Sequence, residues 1–356
     1  MNTRDVVVCA LLTQLVSACK LTQIVPPSDL QETERGAFTT DGRFFVIGVR
    51  PSGKPDAGAW IVEVTDGPSN RYVATDYVSG NLEGTSDGTL ARKPAGDACT
   101  FGGMAAHGEL LYAACYAADG RSSLLQVDTQ AHTVRAGYFT TCNFTPSTSP
   151  CSSPSMYPNG MAVDSQGRVY ISNTLSHFTI NGSNISVNVQ GSDTLSQVII
   201  DPIASQGTHL EFRYHDWFSG DILTDSFVPN GIQIEGQTLY YAAGPNINQV
   251  EIQGDGTAGL HSVHYLGPAL SYIDDFTVRG GRMALARTLP PAIVFLGEAP
   301  PGDLAPELGT YPMPLTAIPS SVVFQGALPT GDAVFPVDSL EITSFFGGGL
   351  YVLTGP

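Results

Sequence analysis

The stretch Pro158-Asn159-Gly160-Met161-Ala162-Val163-Asp164-Ser165-Gln166-Gly167-Arg168-Val169-Tyr170-Ile171-Ser172 decides the fold. A polar-Gly corner leads into a short apolar strand. A turn containing Gly167 reverses the chain, and aromatic and β-branched residues carry it back. The grammar recurs at Pro229-Asn230-Gly231-Ile232-Gln233-Ile234, continuing to Leu239-Tyr240-Tyr241-Ala242-Ala243, and at Asp274-Asp275-Phe276-Thr277-Val278, continuing to Met283-Ala284-Leu285-Ala286. Phe101-Gly102-Gly103-Met104 is a fourth copy, and Glu34-Arg35-Gly36-Ala37-Phe38, with Gly42-Arg43 at the offset of Gly167-Arg168, is a fifth. Val337-Asp338-Ser339-Leu340-Glu341-Ile342 reads as the sixth, in competition with Pro319-Ser320-Ser321-Val322-Val323-Phe324.

With corners at 34, 102, 159, 230, 274 and 338, the repeats average about sixty residues, enough for a four-stranded sheet with its loops. A sheet that small, apolar on both faces, is not stable alone, and radial stacking buries both faces. The expected fold is therefore all-β, a six-bladed β-propeller forming one domain over residues 19–356. Closure would take a strand from the far terminus, within Leu21 to Val25.

Composition agrees. Of 356 residues 42% are hydrophobic but only 14% charged, and Gly 39 with Pro 25 indicates many turns and few solvated helices. A net charge of −17 without a visible basic patch excludes nucleic acid as an expected partner. The Pro-rich run from Pro290 to Pro319 reads as a surface excursion of the fifth blade.

Val6 to Val16 is apolar but too short to span a bilayer, so residues 1–18 read as a signal peptide. Val16-Ser17-Ala18-Cys19 resembles a bacterial lipobox, with Cys19 as lipid anchor. A plain secretory signal cut after Ala18 is the alternative, and both export the protein. Any membrane association would pass through that anchor alone. Four further cysteines suit two disulfides in an oxidising compartment. Cys99 and Cys115 are equidistant from His107 and would face each other across a hairpin, while Cys142 and Cys151 flank a short loop. No CxxC spacing favours zinc.

A residue fixed at the start of each innermost strand recurs around one mouth of a propeller's channel. That register holds Glu34, Gly102, Asn159, Asn230, Asp274 and Asp338. Two carboxylates and two amides from separate blades form an oxygen-only set, suited to a hard cation and to calcium in particular. Turn chemistry competes for the Asn-Gly corners, since Asn tolerates the left-handed conformation, but no turn requires Glu34.

These corners resemble the SMP-30/gluconolactonase/luciferin-regenerating family, related to squid diisopropylfluorophosphatase. The resemblance implies a six-bladed propeller with a calcium ion at the channel mouth that hydrolyses lactones or organophosphate esters. Carried over, Glu34, Asn159, Asn230 and Asp274 are the metal ligands. Departures are Gly102, where several lactonases of the family have Asn, Asp275 in place of Gly, and the absence of a matching substrate-binding Arg. The implied activity is metal-dependent opening of a small-molecule lactone or ester by a monomer, with Asp274 or Asp275 as proton acceptor or nucleophile. No G-x-S-x-G elbow supports a serine hydrolase. A non-catalytic binding propeller, or one like strictosidine synthase, is the rival.

Overall fold

Alternating aromatic, β-branched and small residues after each corner suit a pleated surface buried on both faces, and they form six four-stranded antiparallel sheets. The computed structural model describes residues 19–54, 57–67, 71–79, 82–84, 90–92, 100–116, 122–139, 158–181, 184–219, 229–300, 302–325 and 339–355. From the channel outward, blade one is Gly36–Phe38, Phe44–Arg50, Gly58–Gly67 and Arg71–Ser79. Blade two is Thr100–His107, Leu110–Tyr116, Ser122–Asp128 and Thr133–Tyr138. Blade three is Pro158–Val163, Val169–Asn181, Asn184–Ile200 and Phe212–Ser219. Blade four is Ile232–Glu235, Thr238–Ala243, Asn246–Ile252 and Ala258–Tyr265. Blade five is Tyr272–Arg279, Arg282–Leu289, Ala292–Leu296 and Glu307–Pro312. Together with blade six these sheets make a six-bladed β-propeller.

Blade six contains Ile318–Phe324, Leu340–Phe346 and Leu350–Thr354, and its outermost strand is Lys20–Val25 from the other end of the chain. Lys20 pairs with Thr354 and Gln23 with Tyr351, whose hydroxyl accepts a hydrogen bond from Gln23 Nε2 at 3.0 Å. The expected closure strand is thus observed. It covers an edge that would otherwise expose unpaired backbone groups.

The core is divided among the blade interfaces. Six apolar clusters each join two neighbouring blades. One joins Phe45, Ile47 and Ile61 to Met104, Leu111 and Leu125, and another joins Phe44 and Val46 to Leu350 and Val352 across the closed seam. The remaining four fill the other interfaces. Because no blade keeps a private core among the described residues, the relative positions of the inner strands are fixed by ring-wide packing.

Three expectations change. The innermost strand of blade six starts at Ile318, so the competing corner at Ser320 takes the channel position; Leu340–Phe346 is the second strand, and Asp338 lies outside the described residues. The Pro290–Pro319 run is not an excursion: it supplies the third and fourth strands of blade five, Ala292–Leu296 and Glu307–Pro312, with its described prolines in turns and connections, at the strand end Pro312 and, for Pro319, beside a bulge. This is the placement proline tolerates in a sheet, because it cannot donate to the ladder. Finally, Cys115 faces Phe101 across its hairpin, because the turn at Gly108 pairs His107 with Leu110 and displaces the ladder from a His107-centred register. Cys99, Cys142 and Cys151 lie outside the described residues, and among the described residues no cysteine is a free thiol.

Candidate functional site at the channel mouth

The corner residues are placed by irregularities in the ladder. In blade five the pairs Ile273–Arg287 and Asp275–Ala286 are consecutive, so Asp274 is skipped. In blade six Pro319 pairs with Ser344 and Ser321 with Thr343, which skips Ser320. Blades two and three bulge at Gly102 and at Asn159-Gly160. A bulge breaks the two-residue alternation and re-aims the extra side chain, here at the first turn into each innermost strand. In blades one and four, Glu34 and Asn230 occupy the same place just ahead of Gly36–Phe38 and Ile232–Glu235.

The structure joins four of these residues in one hydrogen-bonded chain. Asn230 Nδ2 donates to Asp274 Oδ1 at 2.5 Å and is also 3.2 Å from the Tyr272 hydroxyl. The Ser320 hydroxyl lies 3.0 Å from Asp274 Oδ2 and 2.5 Å from Glu34 Oε2. Blades four, five, six and one therefore converge through Asn230, Asp274, Ser320 and Glu34. Asn159 stands at the equivalent place on blade three and is half-buried, but the chain stops at Asn230. Gly102 contributes no side chain.

The residue after each corner forms a second tier: Arg35, Gly103, Gly160, Gly231, Asp275 and Ser321. The three glycines permit close approach between blades. A Cβ on Gly103 would lie 1.8 Å from the Asn159 carbonyl oxygen, and one on Gly160 would lie 2.2 Å from that of Asn230. Gly231 abuts Asp275 in the same way and donates its N–H to the Asp274 carbonyl at 2.9 Å. Arg35 pairs with Asp275 at 3.1 Å and donates to the Ile232 carbonyl at 2.8 Å. The Asp275 carboxylate also accepts from Ser321 Oγ at 2.6 Å, so it is held below the mouth.

Glu34 and Asp274 keep partial exposure at the mouth, whereas Ser320 and Asn230 are each only 1% exposed. Burial, reinforced by the neighbouring Asp274 charge, pushes Glu34 up to about 8. Burial likewise lifts Asp274 to about 7, against the hydrogen bonds from Ser320 and Asn230. Asp275 is raised by burial, with Arg35 and Ser321 pulling the other way. The Asn230 Oδ1 atom is buried without a hydrogen-bond partner among the described residues. Two desolvated carboxylates and an orphaned amide oxygen fit a hard divalent cation, which would restore the ionised forms and satisfy that oxygen. Among the described residues there is no cluster of three His, Cys, Asp or Glu side chains, as softer or acid-rich metal sites would require.

Sequence reasoning missed Arg35 and Ser321 and admitted Ser320 only as a competitor. The signal was present one position after the corners, where three glycines share a register with one Arg and one Asp.

No protein-family model and no curated protein matches the chain. Solved structures do resemble it. A gluconolactonase of Xanthomonas campestris, XC5397, has a TM-score of 0.53 at 14% identity over 98% of this chain and 92% of its own. A luciferin-regenerating enzyme has 0.52 at 12%, covering 95% of each chain. A streptogramin B lyase has 0.50 at 11%, over 95% of this chain and 98% of its own. At these identities the likeness establishes the fold. The gluconolactonase and the luciferin-regenerating enzyme bear the names of the family that the corner motifs resemble.

Proposed function

We propose that this protein is an exported hydrolase that opens lactones, or cleaves related small esters, at a divalent cation, calcium by the chemistry of its donors. Glu34, Asn159, Asn230 and Asp274 would hold that ion at the channel mouth. One observation carries the reading: Glu34, Asn230 and Asp274, from three blades and up to 240 positions apart, belong to one hydrogen-bonded chain in which Ser320 bridges Glu34 and Asp274, and Asn230 joins at Asp274. A purely scaffolding channel gains nothing from confining two carboxylates together.

When bound, the cation would polarise the carbonyl of the ester. The chain's own residues do the rest. Asn230 and Ser320 hold the two oxygens of Asp274 in fixed directions. Held this way, Asp274 is placed to accept a proton from the water that adds to the carbonyl carbon, although coordination to a cation would lower its basicity. The ring oxygen then departs with the bonding electron pair and receives a proton, giving the open hydroxy acid. Asp275 is the poorer candidate for this role, because Arg35 and Ser321 already occupy its carboxylate.

The test is hydrolysis of simple lactones and phenyl acetate by the purified mature chain, with and without chelator, beside calcium titration of wild type, Asp274→Ala and Asn159→Ala. Turnover lost to chelator and restored by calcium, with weak calcium uptake in both variants, is expected. Unaltered calcium content in both variants would refute the ligand set. Inactivity on every substrate, regardless of chelator, would favour the binding propeller, for which the bare Gly102 position speaks.

The anchor and disulfide readings remain part of this proposal. Cys19 and Cys115 are both disulfide-bonded in the structure, which competes with the anchor, so mass spectrometry of the exported protein should distinguish a diacylglyceryl thioether on Cys19 from a disulfide there, and locate the pairing of Cys99, Cys115, Cys142 and Cys151.

A further inference from the structure

The second tier of the channel repeats the first, blade for blade. The upper chain runs Glu34, Ser320, Asp274, Asn230 through blades one, six, five and four. One position further along, Arg35 of blade one pairs with Asp275 of blade five, Asp275 accepts from Ser321 of blade six, and Arg35 also grips the Ile232 carbonyl at the start of blade four. Each contact of the lower tier therefore lies within two residues of a member of the upper one.

We infer that Arg35 is a positioning residue that sets the spacing of the Glu34, Asn230 and Asp274 donors from beneath. The inference rests on the metal reading of the upper ring.

Three features support it. Arg35 is 5% exposed and reaches from blade one to blade four, the opposite blade of the ring, so its guanidinium spans the channel and does not merely line it. The forked group holds two differently placed acceptors at once, which a single ammonium point charge does less well. The glycines at 103, 160 and 231 let the backbones of blades two to five touch directly, but they supply no side chain to hold blade one at its distance across the channel. The charges also divide cleanly. Arg35 and Asp275 neutralise one another, which leaves the two carboxylates of the upper ring to match a divalent cation.

Arg35→Met alone would strand a buried Asp275 carboxylate and risk unfolding. The decisive variant is therefore the double substitution Arg35→Met with Asp275→Asn, accompanied by Arg35→Lys, which keeps the charge and loses the fork. For each variant and wild type, calcium affinity is measured by calorimetry and melting is recorded in chelator. Terbium luminescence lifetime, read through Tyr272 beside Asn230, counts waters on the bound ion.

The expected result is at least a tenfold loss of calcium affinity in the double variant, a smaller loss in Arg35→Lys, and a shortened terbium lifetime in both as water replaces a displaced donor. Calcium affinity and lifetime equal to wild type, whatever happens to melting, would overturn the positioning role while leaving the ring reading intact. If the double variant does not fold, unchanged affinity in Arg35→Lys overturns it equally. A wild-type chain that takes up neither ion would overturn the ring reading itself, and the positioning role with it.

Discussion

Gly160 offers the sharpest test of why the corners contain glycine. If Asn159-Gly160 were a turn pair, alanine would be tolerated wherever the backbone is ordinary, and Gly160 is not among the glycines with positive φ. The structure gives a different reason. A Cβ there would lie 2.2 Å from the Asn230 carbonyl oxygen and 2.8 Å from both the Ile232 nitrogen and Ser172 Oγ. Ordinary contact begins near 3.4 Å, so blades three and four must part by roughly 1.2 Å at the channel. The first two obstacles are backbone and cannot rotate away, and Ser172 Oγ already donates to the Asn230 carbonyl at 2.5 Å.

Overpacking of a tight core typically costs about 1–3 kcal/mol, and a clash with backbone belongs at the top of that range. Gly160→Ala should therefore lose about 3 kcal/mol in urea unfolding of the mature chain. The displaced Asn230 should also weaken calcium binding. Gly254→Ala is the control: it is exposed with nothing within 4 Å, and should be neutral or stabilising by up to about 1 kcal/mol through the unfolded state. A Gly160→Ala protein within about 0.5 kcal/mol of wild type would show that the blades are not in contact there, and the ring geometry would fall with it.

Two further outcomes follow from the buried acids. Glu34 and Asp274 take up protons near 8 and 7 in the fold but near 4.5 and 3.8 when unfolded, so the metal-free protein should gain stability as pH falls from above 8 towards 4.5. Calcium, needing ionised ligands, should stabilise most above pH 8 and little below 7. Melting curves recorded with calcium and with chelator should then converge on acidification, and metal-free stability that climbs with pH between 7 and 8 would contradict this. Glu341, 1% exposed with Oε2 lacking a partner among the described residues and Oε1 held by Ser339, is pushed by burial up to about 8. Glu341→Gln should stabilise the protein above pH 8 by at least about 1 kcal/mol and flatten its pH dependence; destabilisation there would mean that the carboxylate is compensated.

By itself, the sequence determined the repeat, five of its six copies, the all-β class and the terminal strand that closes the ring. These depend on local alternation and turn chemistry, which are written along the chain: the strand after Asn230 and its return at Leu239–Ala243 can be read without knowing what lies beside them. It also singled out Glu34, Asn230 and Asp274, which the structure joins in one hydrogen-bonded chain, because oxygen donors at one register stand out against apolar strands. The blade-six position was decided by tertiary structure. Ser320 and Asp338 both open plausible strands, and only the stacking of Ile318–Phe324 against the inner strand of blade five, with the bulge that re-aims Ser320, selects between them. The same holds for the glycines and for Arg35. A glycine that serves a turn and one that admits a neighbouring carbonyl are identical letters, and an arginine's partners across the channel are 197 and 240 positions away. Local pattern fixes which face of a strand is apolar, whereas distances between blades are set by the closed ring as a whole.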